Sequence, residues 1–273
     1  MEGEHHRYRT VLTIAGSDGS GGAGIQADIK TIESLGCHAL STITALTAQN
    51  TLGVEKVLPV PAEFITRQIE VLLRDITIDA IKIGMLGSCE AIDAVADAVQ
   101  AVTSCPTVLD TVICSSSGTP LLPQECINRF IEKLFPITTL ITPNLPETAR
   151  LLGMATLPES RMETERAAEK LLKLGCSAAL VKGGHMQGPL CEDLLVWSEG
   201  REWFSGERIA TRNTHGTGCT LSSAIAANLA LGTSLPEAVG NAREYLREAM
   251  KAGASRVLGH GSGPLCHLWL ARQ

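Results

Sequence analysis

This sequence has few aromatic side chains, no long hydrophobic run and no excess of basic residues. Lysine and arginine number 23 against 29 acidic residues, which gives a formal net charge of −6. A nucleic-acid surface needs basic residues to neutralise phosphates, so we expect no nucleic-acid partner. A small charged ligand, held in one focused site, is compatible with this charge.

Membrane and export signals are also missing. The chain contains no run of the roughly 18 apolar residues that a membrane-spanning helix needs, so we expect no membrane span. The start of the chain, MEGEHHRYRT, is polar and has no apolar stretch of signal-peptide length. We interpret residues 1–9 as a flexible tail, His5 and His6 as tail residues rather than metal ligands, and the protein as cytoplasmic.

The sequence has nine cysteines, but none of them forms a Cys-x-x-Cys pair. Zinc knuckles and disulfide frameworks normally show paired spacing, so neither is predicted. Free thiols, as in a reducing compartment, fit the scattered positions better. A thiol-based redox sensor or a metal-binding protein is an alternative that the cysteine count raises and the spacing does not support.

Short β-like runs alternate with longer helical patterns along the chain. Thr10–Gly16 is apolar and β-branched and is followed by glycines, which is typical of a strand. Residues 61–75 and 234–250 carry apolar residues at helical spacing, and the second run opens with Ser234-x-x-Glu237, a predicted capping box. Further strands are predicted in IDAIKIGML, PTVLDTVI, TTLITPN and AALVKGG, and a pair of short strands in residues 191–213.

Repeated strand–helix units predict a mostly parallel sheet with helices on both faces, in one domain that spans residues 1–273. No linker rich in proline, glycine or serine divides the chain. Ligands of such sheets bind at the carboxyl ends of the strands, and the glycine-rich and polar segments follow the strands here. We therefore expect the site at that edge.

The segment NTHGTGCTLSSAIAANLALG, residues 213–232, predicts a glycine turn that leads into a helix. Free N–H groups at such a helix start, together with the helix dipole, form an anion site suited to a phosphoryl group in transfer. A helix N-terminus also lowers the pKa of a thiol, so Cys219 could remove a proton from a substrate hydroxyl. The alternatives are glycines that serve packing, Cys219 as a small core residue, or a covalent phospho-cysteine.

A second glycine-rich loop, residues 16–31, follows the first strand. It lacks the spacing of a dinucleotide fingerprint, so NAD is not predicted, but its backbone could approach a small substrate. Asp28 lies one helical turn beyond this loop. The alternative role of Asp28 is a carboxylate that the helix dipole favours.

Three oxygen-bearing side chains follow two predicted strands, and such ligands suit Mg²⁺. Asp110 ends one strand, while Asn144 and Glu147 follow the next. A helix cap explains the spacing of Asn144 and Glu147 equally well. Lys182 lies just beyond another strand and could counter phosphate charge, although an ordinary exposed lysine is the alternative.

Gln49 ends a predicted strand, and its amide can both donate to and accept from a heterocycle that bears an amino group beside a ring nitrogen. Aromatic residues make up 3% of the chain, so aliphatic and sulfur groups such as Met85 would flank a flat ligand. A capping glutamine and a core methionine are the alternatives.

Taken together, the motifs resemble the ribokinase-like superfamily, and within it the hydroxymethylpyrimidine kinase/phosphomethylpyrimidine kinase family of thiamine biosynthesis. The motifs are GSDGSGGAGIQAD, TALTAQNTLGV, KIGML, VLDTV, ITPNLPE, VKGGH and NTHGTGCTLSSAIAA, in family order over nearly the whole chain. The resemblance implies a three-layer α/β sandwich with little or no separate lid domain, and a homodimer. It also implies transfer of the γ-phosphate of MgATP to 4-amino-5-hydroxymethyl-2-methylpyrimidine, and a second transfer onto the monophosphate.

The resemblance assigns a role to individual residues. The general base is Cys219, the anion hole is Gly216, Thr217 and Gly218, and Lys182 is a catalytic lysine that faces phosphate. Pyrimidine contacts are Gln49, Asp28, Ala23, Met85 and Val112. ATP and phosphate contacts are Asn144, Lys182, Thr214, Gly216 and Gly218, and the magnesium ligands are Asp110 and Glu147.

Two positions depart from the family pattern. Gly19 follows Asp18 where many relatives have proline or serine, and His260 stands where some relatives carry lysine. A pyridoxal kinase has the same fold and is the nearest alternative enzyme, although Gln49 favours an aminopyrimidine. A catalytically silent ligand-binding member is a further alternative, and the segment CSSSGTP, residues 114–120, is either a loop that closes the site or an ordinary surface loop.

Overall fold

The computed structural model describes residues 7–102, 105–115, 118–184 and 188–272, whose strands form one nine-stranded sheet. The strands are β1 (Thr10–Asp18), β2 (His38–Asn50), β3 (Gly53–Pro59), β4 (Ala80–Ile83), β5 (Thr107–Leu109), β6 (Leu140–Ile141), β7 (Ala178–Val181), β8 (Leu190–Trp197) and β9 (Gly200–Glu207). The α-helices are α1 (Gly24–Ser34), α2 (Ala62–Asp75), α3 (Cys89–Gln100), α4 (Ile127–Leu134), α5 (Leu145–Leu151), α6 (Arg161–Leu172), α7 (Thr217–Ala230) and α8 (Leu235–Gly253).

The sheet order is β3-β2-β1-β4-β5-β6-β7-β8-β9. The six strands from β2 to β7 in this order run parallel, while β3 pairs antiparallel at one edge and β8 and β9 at the other. The chain passes from β1 to β2 on one side and later to β4 on the other side. Such a reversal opens a crevice outside the carboxyl ends of the strands, where ligands bind.

Different helices cover the two faces of the sheet because successive strand residues point to opposite faces. Leu12 and Ile14 pack in the cluster that holds residues of α2 to α6. Val11, the residue before Leu12, packs with residues of α1, α7 and α8. The predicted three-layer α/β sandwich is therefore confirmed.

Several predicted elements are confirmed, and one helix cap is not. The segment 191–213 forms the hairpin of β8 and β9, and α2 begins directly after Pro61. The capping box predicted for α8 is wrong, because Ser234 is the N-cap residue but its side chain makes no capping hydrogen bond. Pro236 at the second helical position has no N–H, so one of the two donors that a capping side chain accepts from is missing.

The expectation that all nine cysteines are free is also wrong. Cys89, the first residue of α3, forms a disulfide with Cys126, which lies in the turn before α4, and the other seven cysteines are free. The two cysteines are 37 residues apart in sequence. Local spacing cannot show this pair, because the packing of α3 beside α4 brings it together.

The first described residues are bonded at the end of the sheet opposite the carboxyl ends of the parallel strands. Residues 1–6 of the predicted tail lie outside the described residues, while Arg7 and Arg9 lie 2.7 and 3.1 Å from Asp79 Oδ1.

Among the described residues, no helix has both the length and the apolar character that a bilayer crossing requires.

Candidate active site

A cavity of about 1050 Å³ opens at the carboxyl ends of the parallel strands. Residues that follow β1, β4, β5, β6 and β7, the end of β2 and the start of α7 line it. The cavity brings together all but one of the residues that sequence assigned to the site: Ala23, Gln49, Met85, Asp110, Val112, Asn144, Glu147, Lys182, Thr214, Gly216, Thr217, Gly218 and Cys219. The exception is Asp28.

The glycine turn before α7 has the backbone that sequence predicted. Gly216 is the N-cap residue, has φ +84°, and offers no side chain to cap the helix. A Cβ on Gly216 would overlap the carbonyl oxygen of Gly22, so the turn lies directly against the loop after β1. Thr217 N–H donates to Thr214 O, whereas the N–H groups of Gly218 and Cys219 have no intrahelical acceptor, and both residues line the cavity. This arrangement can bind an anion.

A buried ion pair lies beside the second glycine of this turn. Lys182 Nζ donates to Asp110 Oδ1 at 3.1 Å, and Thr142 Oγ1 donates to the same oxygen at 3.2 Å. A Cβ on Gly218 would lie 3.3 Å from both Lys182 Nζ and Asp110 Oδ2. The side chain of Lys182 is 15% exposed, so it is not the ordinary surface lysine that sequence left open.

Burial disfavours the Lys182 ammonium, but Asp110 and Glu147 outweigh burial, and the pKa of Lys182 is raised. The lysine therefore carries a positive charge at the cavity wall. A cation in that position offsets the charge of a bound phosphate.

Glu147 combines a structural role with a position on the cavity. Its Oε2 accepts from Asn144 N at 2.8 Å, and Asn144 Oδ1 accepts from Glu147 N at 2.8 Å, so the predicted capping box of α5 is confirmed. Thr111 Oγ1 donates to the same Oε2 at 3.1 Å. Burial raises the pKa of Glu147 to about 6, with Lys182 opposing and Asp110 adding to the rise.

Cys219 lies in the first turn of α7, is partly buried and lines the cavity. Burial raises the pKa of this thiol to about 11, while Lys82 and the backbone N–H of Gly24 oppose the rise. The expectation that the helix N-terminus would lower the thiol pKa below its usual value is therefore wrong, because desolvation is the larger effect.

The structure does not place Asp28 on the cavity surface, and the predicted direct contact with substrate is corrected. Its carboxylate is fully buried and accepts from Thr13 Oγ1 at 2.6 Å, Lys82 Nζ at 2.7 Å and Ser223 Oγ at 2.8 Å. Lys82 is also fully buried. Lys82 lies in the predicted strand IDAIKIGML and was given no role there, although a lysine among apolar strand residues is itself a signal.

A second pair that sequence reasoning missed joins the two glycine-rich segments. His215 Nε2 lies 2.8 Å from Asp18 Oδ2, and the Asp18 carboxylate also accepts from the backbone N–H groups of Ser20, Gly22 and Ala23. Burial works against the Asp18 carboxylate, but the bonds from His215 and Ser20 outweigh it and lower its pKa to about 2. This pair fixes the loop after β1 against the turn before α7.

The pyrimidine-binding residues predicted from sequence lie around this pair. Gln49 Nε2 is 3.3 Å from His215 Nε2, and Gln49 Oε1 is 3.1 Å from Thr47 Oγ1. Met85 packs against Gly16, since a Cβ on that glycine would lie 3.0 Å from the methionine sulfur. Together with Ala23 and Val112, these groups form a pocket that has one amide and mostly apolar walls.

The opposite end of the cavity was not predicted from sequence. Ile209, Leu246 and Met250 supply apolar wall, and Arg243 Nε donates to Asp193 Oδ2 at 2.7 Å. Asp193 also accepts from Gly183 N, which couples this end to the segment after Lys182. Spacing along the chain gives no signal for these residues, because they come from three separate elements.

Three further positions complete the comparison with sequence. His260 is exposed and outside the cavity lining, where its N–H donates to Thr51 Oγ1 at 3.2 Å. A Cβ on Gly19 would reach no closer than 4.0 Å to any neighbouring atom. His185 and residues 116–117 of the candidate closing loop lie outside the described residues, while Cys114 and Gly118 of that loop line the cavity.

Comparison with known proteins gives concordant results. The family model described as phosphomethylpyrimidine kinase matches residues 18–266. The hydroxymethylpyrimidine/phosphomethylpyrimidine kinase of Escherichia coli strain K12 is 44% identical over 259 residues, which cover 94% of this chain and 96% of that protein.

Solved structures are also similar. The phosphomethylpyrimidine kinase of Clostridium difficile 630 is 40% identical with a TM-score of 0.78, and the match covers 88% of this chain and 99% of that one. The pyridoxal kinase of Bacillus subtilis, in an ADP complex, is 32% identical with a TM-score of 0.88, covering 98% of this chain and all of that one.

Proposed function

The chain belongs to the phosphomethylpyrimidine kinase family, and from this premise we propose that it phosphorylates 4-amino-5-hydroxymethyl-2-methylpyrimidine with ATP. A second transfer onto the resulting monophosphate gives the diphosphate that thiamine diphosphate biosynthesis uses. The observation that carries the proposal is one cavity that holds Gln49, the Cys219 thiol and the open N-terminus of α7 beside Lys182.

The amide of Gln49 supports an aminopyrimidine as the acceptor. It can accept from the exocyclic amino group and donate to the adjacent ring nitrogen, which a single-function donor or acceptor cannot do. His215 Nε2 lies 3.3 Å from the nitrogen of the amide, and Thr47 Oγ1 lies 3.1 Å from its oxygen. Met85, Val112 and Ala23 supply contacts for the faces and edges of the ring.

The start of α7 supports the transfer step. The N–H groups of Gly218 and Cys219, with Thr217 beside them, bind the migrating phosphoryl group, and Lys182 adds a charged donor next to Gly218. Asn144 and Thr214 line the same part of the cavity and contact the polyphosphate. The apolar residues at the opposite end receive the adenine.

Cys219 acts as general base in the first transfer, when the acceptor is a neutral hydroxymethyl group. The Cys219 thiolate accepts the hydroxyl proton as the oxygen bonds to the γ-phosphorus, the bond from that phosphorus to the bridging oxygen breaks, and ADP leaves. In the second transfer the acceptor is a phosphate oxygen, which is already ionised near neutral pH, so no base is needed. Charge repulsion must be offset there instead, and Lys182 is placed to do so.

Asp110 and Glu147 fit a magnesium ion that stays largely hydrated. In the described residues, no three His, Cys, Asp or Glu side chains converge as protein-only metal ligands. Mg²⁺ commonly binds one or two carboxylates and completes its shell with water and phosphate oxygens. When bound, the ion neutralises charge on the phosphates, and relief of the repulsion between Glu147 and Asp110 favours its binding.

An assay of ATP consumption with three acceptors tests this function. Hydroxymethylpyrimidine and its monophosphate should both be phosphorylated. Pyridoxal is the third acceptor, because the fold is also similar to that of the Bacillus subtilis pyridoxal kinase. If pyridoxal is phosphorylated in preference to both pyrimidines, the proposed substrate is wrong. If none of the three acceptors is phosphorylated, the proposed function is refuted.

We also propose that the active form is a homodimer. The edge strand β3 leaves Leu58 exposed, and Leu52 in the adjoining turn is 67% exposed, which is the kind of apolar edge that a second copy covers. Light scattering after size-exclusion chromatography tests this proposal, since a mass of one chain would exclude it.

A further inference from the structure

A buried ion pair that does not line the cavity is hydrogen-bonded to α7, the helix that carries Cys219. Lys82 Nζ and Asp28 Oδ2 are 2.7 Å apart, and both side chains are fully buried. Removing two full charges from water is energetically unfavourable, so a buried pair raises the question of its role. None of the roles proposed above uses Lys82.

The pair faces α7. Successive residues of β4 alternate between the faces of the sheet, and Ala80, two residues before Lys82, packs with the apolar residues of α7. Ser223 on α7 donates to the other oxygen of Asp28 at 2.8 Å. Cys219 is four residues before Ser223, so the thiol and the Ser223 hydroxyl lie on the same face of the helix. The Lys82–Asp28 pair therefore lies against the face of α7 that carries the thiol.

The ammonium of Lys82 has N–H groups that can donate further hydrogen bonds. Among the described residues, its one hydrogen bond goes to Asp28, which leaves two of its three N–H groups without an acceptor. A Cβ on Gly84 would lie 2.7 Å from Lys82 Nζ, so the absence of a side chain at that position makes room for the ammonium.

Four charged groups act on the thiol from the elements around α7. Lys82 on β4 favours the thiolate, while Asp28 on α1 and Asp110 after β5 oppose it, and the effect of Lys82 is the largest of the three. Lys182 after β7 also interacts with the thiol. Lys182 lines the cavity where phosphate would bind, whereas Lys82 does not line the cavity and donates to Asp28.

We propose that Lys82 is a positioning residue for the first transfer: its buried ammonium, held by Asp28, stabilises the Cys219 thiolate while the acceptor hydroxyl is deprotonated. Asp28 fixes the ammonium on its own side of α7 and so keeps it from the phosphates. This inference rests on the proposed function, because it assumes that Cys219 is the base.

The test measures the ionisation of Cys219 directly, without substrate. Alkylation by iodoacetamide is followed at Cys219 by peptide mass spectrometry as a function of pH. In Lys82→Met the alkylation rate at pH 8 should fall by roughly tenfold or more, which is the effect of losing a nearby opposite charge. Lys82→Arg should retain most of the rate, and Ser223→Ala, which removes a neutral partner of Asp28, should change it little.

Lys82→Met leaves Asp28 buried without a counterion and could fail to fold. The double variant Asp28→Asn with Lys82→Met removes both charges and keeps the shape of the pair, and it should still be alkylated more slowly than the unmodified chain. An unchanged or faster rate in whichever of these two variants is folded would overturn the proposal.

Activity separates this inference from the function on which it rests. In the folded Lys82 variant the kcat of the first transfer should fall and that of the second should not. A chain that phosphorylates none of the three acceptors would refute the proposed function. A chain that phosphorylates the pyrimidines while its Lys82 variant keeps the alkylation profile would refute this inference alone.

Discussion

Lys182 Nζ donates to Asp110 Oδ1 at 3.1 Å, and the backbone of Gly218 passes directly over this pair. The amide groups that would receive a phosphoryl group and the cation that would neutralise it thus belong to one unit. The pair joins the ends of β5 and β7 to the start of α7. It explains why residues from three distant segments act at one place.

Replacing Lys182 by alanine should harm the second transfer more than the first. The acceptor of the second transfer carries negative charge, so the loss of a cation costs it more, by roughly 10²-fold in kcat. Separate assays of the two transfers check this, with Lys173→Ala, a change to an exposed lysine, as the control. An unchanged ratio of the two rates in Lys182→Ala would contradict the assigned role.

Replacing Gly216 by alanine should cost far more than the same change at Gly232. Both glycines flank α7 with positive φ, +84° and +90°, so alanine at either position meets a backbone penalty of about 1–2 kcal/mol. At Gly232 the space for a Cβ is open, whereas at Gly216 it is filled by the Gly22 carbonyl.

Thermal melts and phosphoryl-transfer assays of both glycine variants measure the difference. Gly216→Ala should lose about 2 kcal/mol more than Gly232→Ala and most of its activity, because the turn must leave the loop after β1. Equal losses of stability and activity in the two variants would show that the close contact between the Gly216 turn and the loop after β1 does not stabilise the protein.

Asp18 predicts a loss of stability in acid. Its folded pKa of about 2 is below the ordinary 3.8, so the folded state favours the carboxylate. The stability that this provides is complete above pH ~4 and is lost as pH falls through about 2. Asp18→Asn should therefore be less stable than the unmodified chain at pH 6, and the gap should narrow by pH 2.

Chemical denaturation at several pH values measures that gap. Asp97→Asn, which alters an exposed carboxylate, is the control and should show no comparable narrowing. A gap for Asp18→Asn that stays constant from pH 6 to pH 2 would show that the His215–Asp18 contact does not favour the charged carboxylate.

The strand–helix alternation sufficed to predict the sheet, because buried strands and amphipathic helices leave distinct periodicities. Polar residues just after those strands could be assigned to one edge for the same reason. The turn of the β2–β3 hairpin, Thr51 and Leu52, was not predicted, since neither residue favours the positive φ that marks tight hairpin turns.

The sequence could not show how deeply each side chain is buried. The resemblance assigns both Asp28 and Gln49 to the pyrimidine, yet Asp28 is fully buried against Lys82 and Gln49 lines the cavity. Desolvation also decides the pKa of Cys219, and a helix-start position alone predicts the wrong direction. The Cys89–Cys126 pair depends on helix packing in the same way.

The division of labour between the two transfers is tested most directly by Cys219→Ala, assayed with hydroxymethylpyrimidine and, separately, with its monophosphate. The first transfer should slow by roughly 10²–10⁴-fold, which is typical of the loss of a general base, and the second by far less. Cys105→Ala, a free cysteine outside the cavity, should leave both rates unchanged. Equal slowing of both transfers in Cys219→Ala, or no slowing of the first, would contradict the role of the thiol as the base.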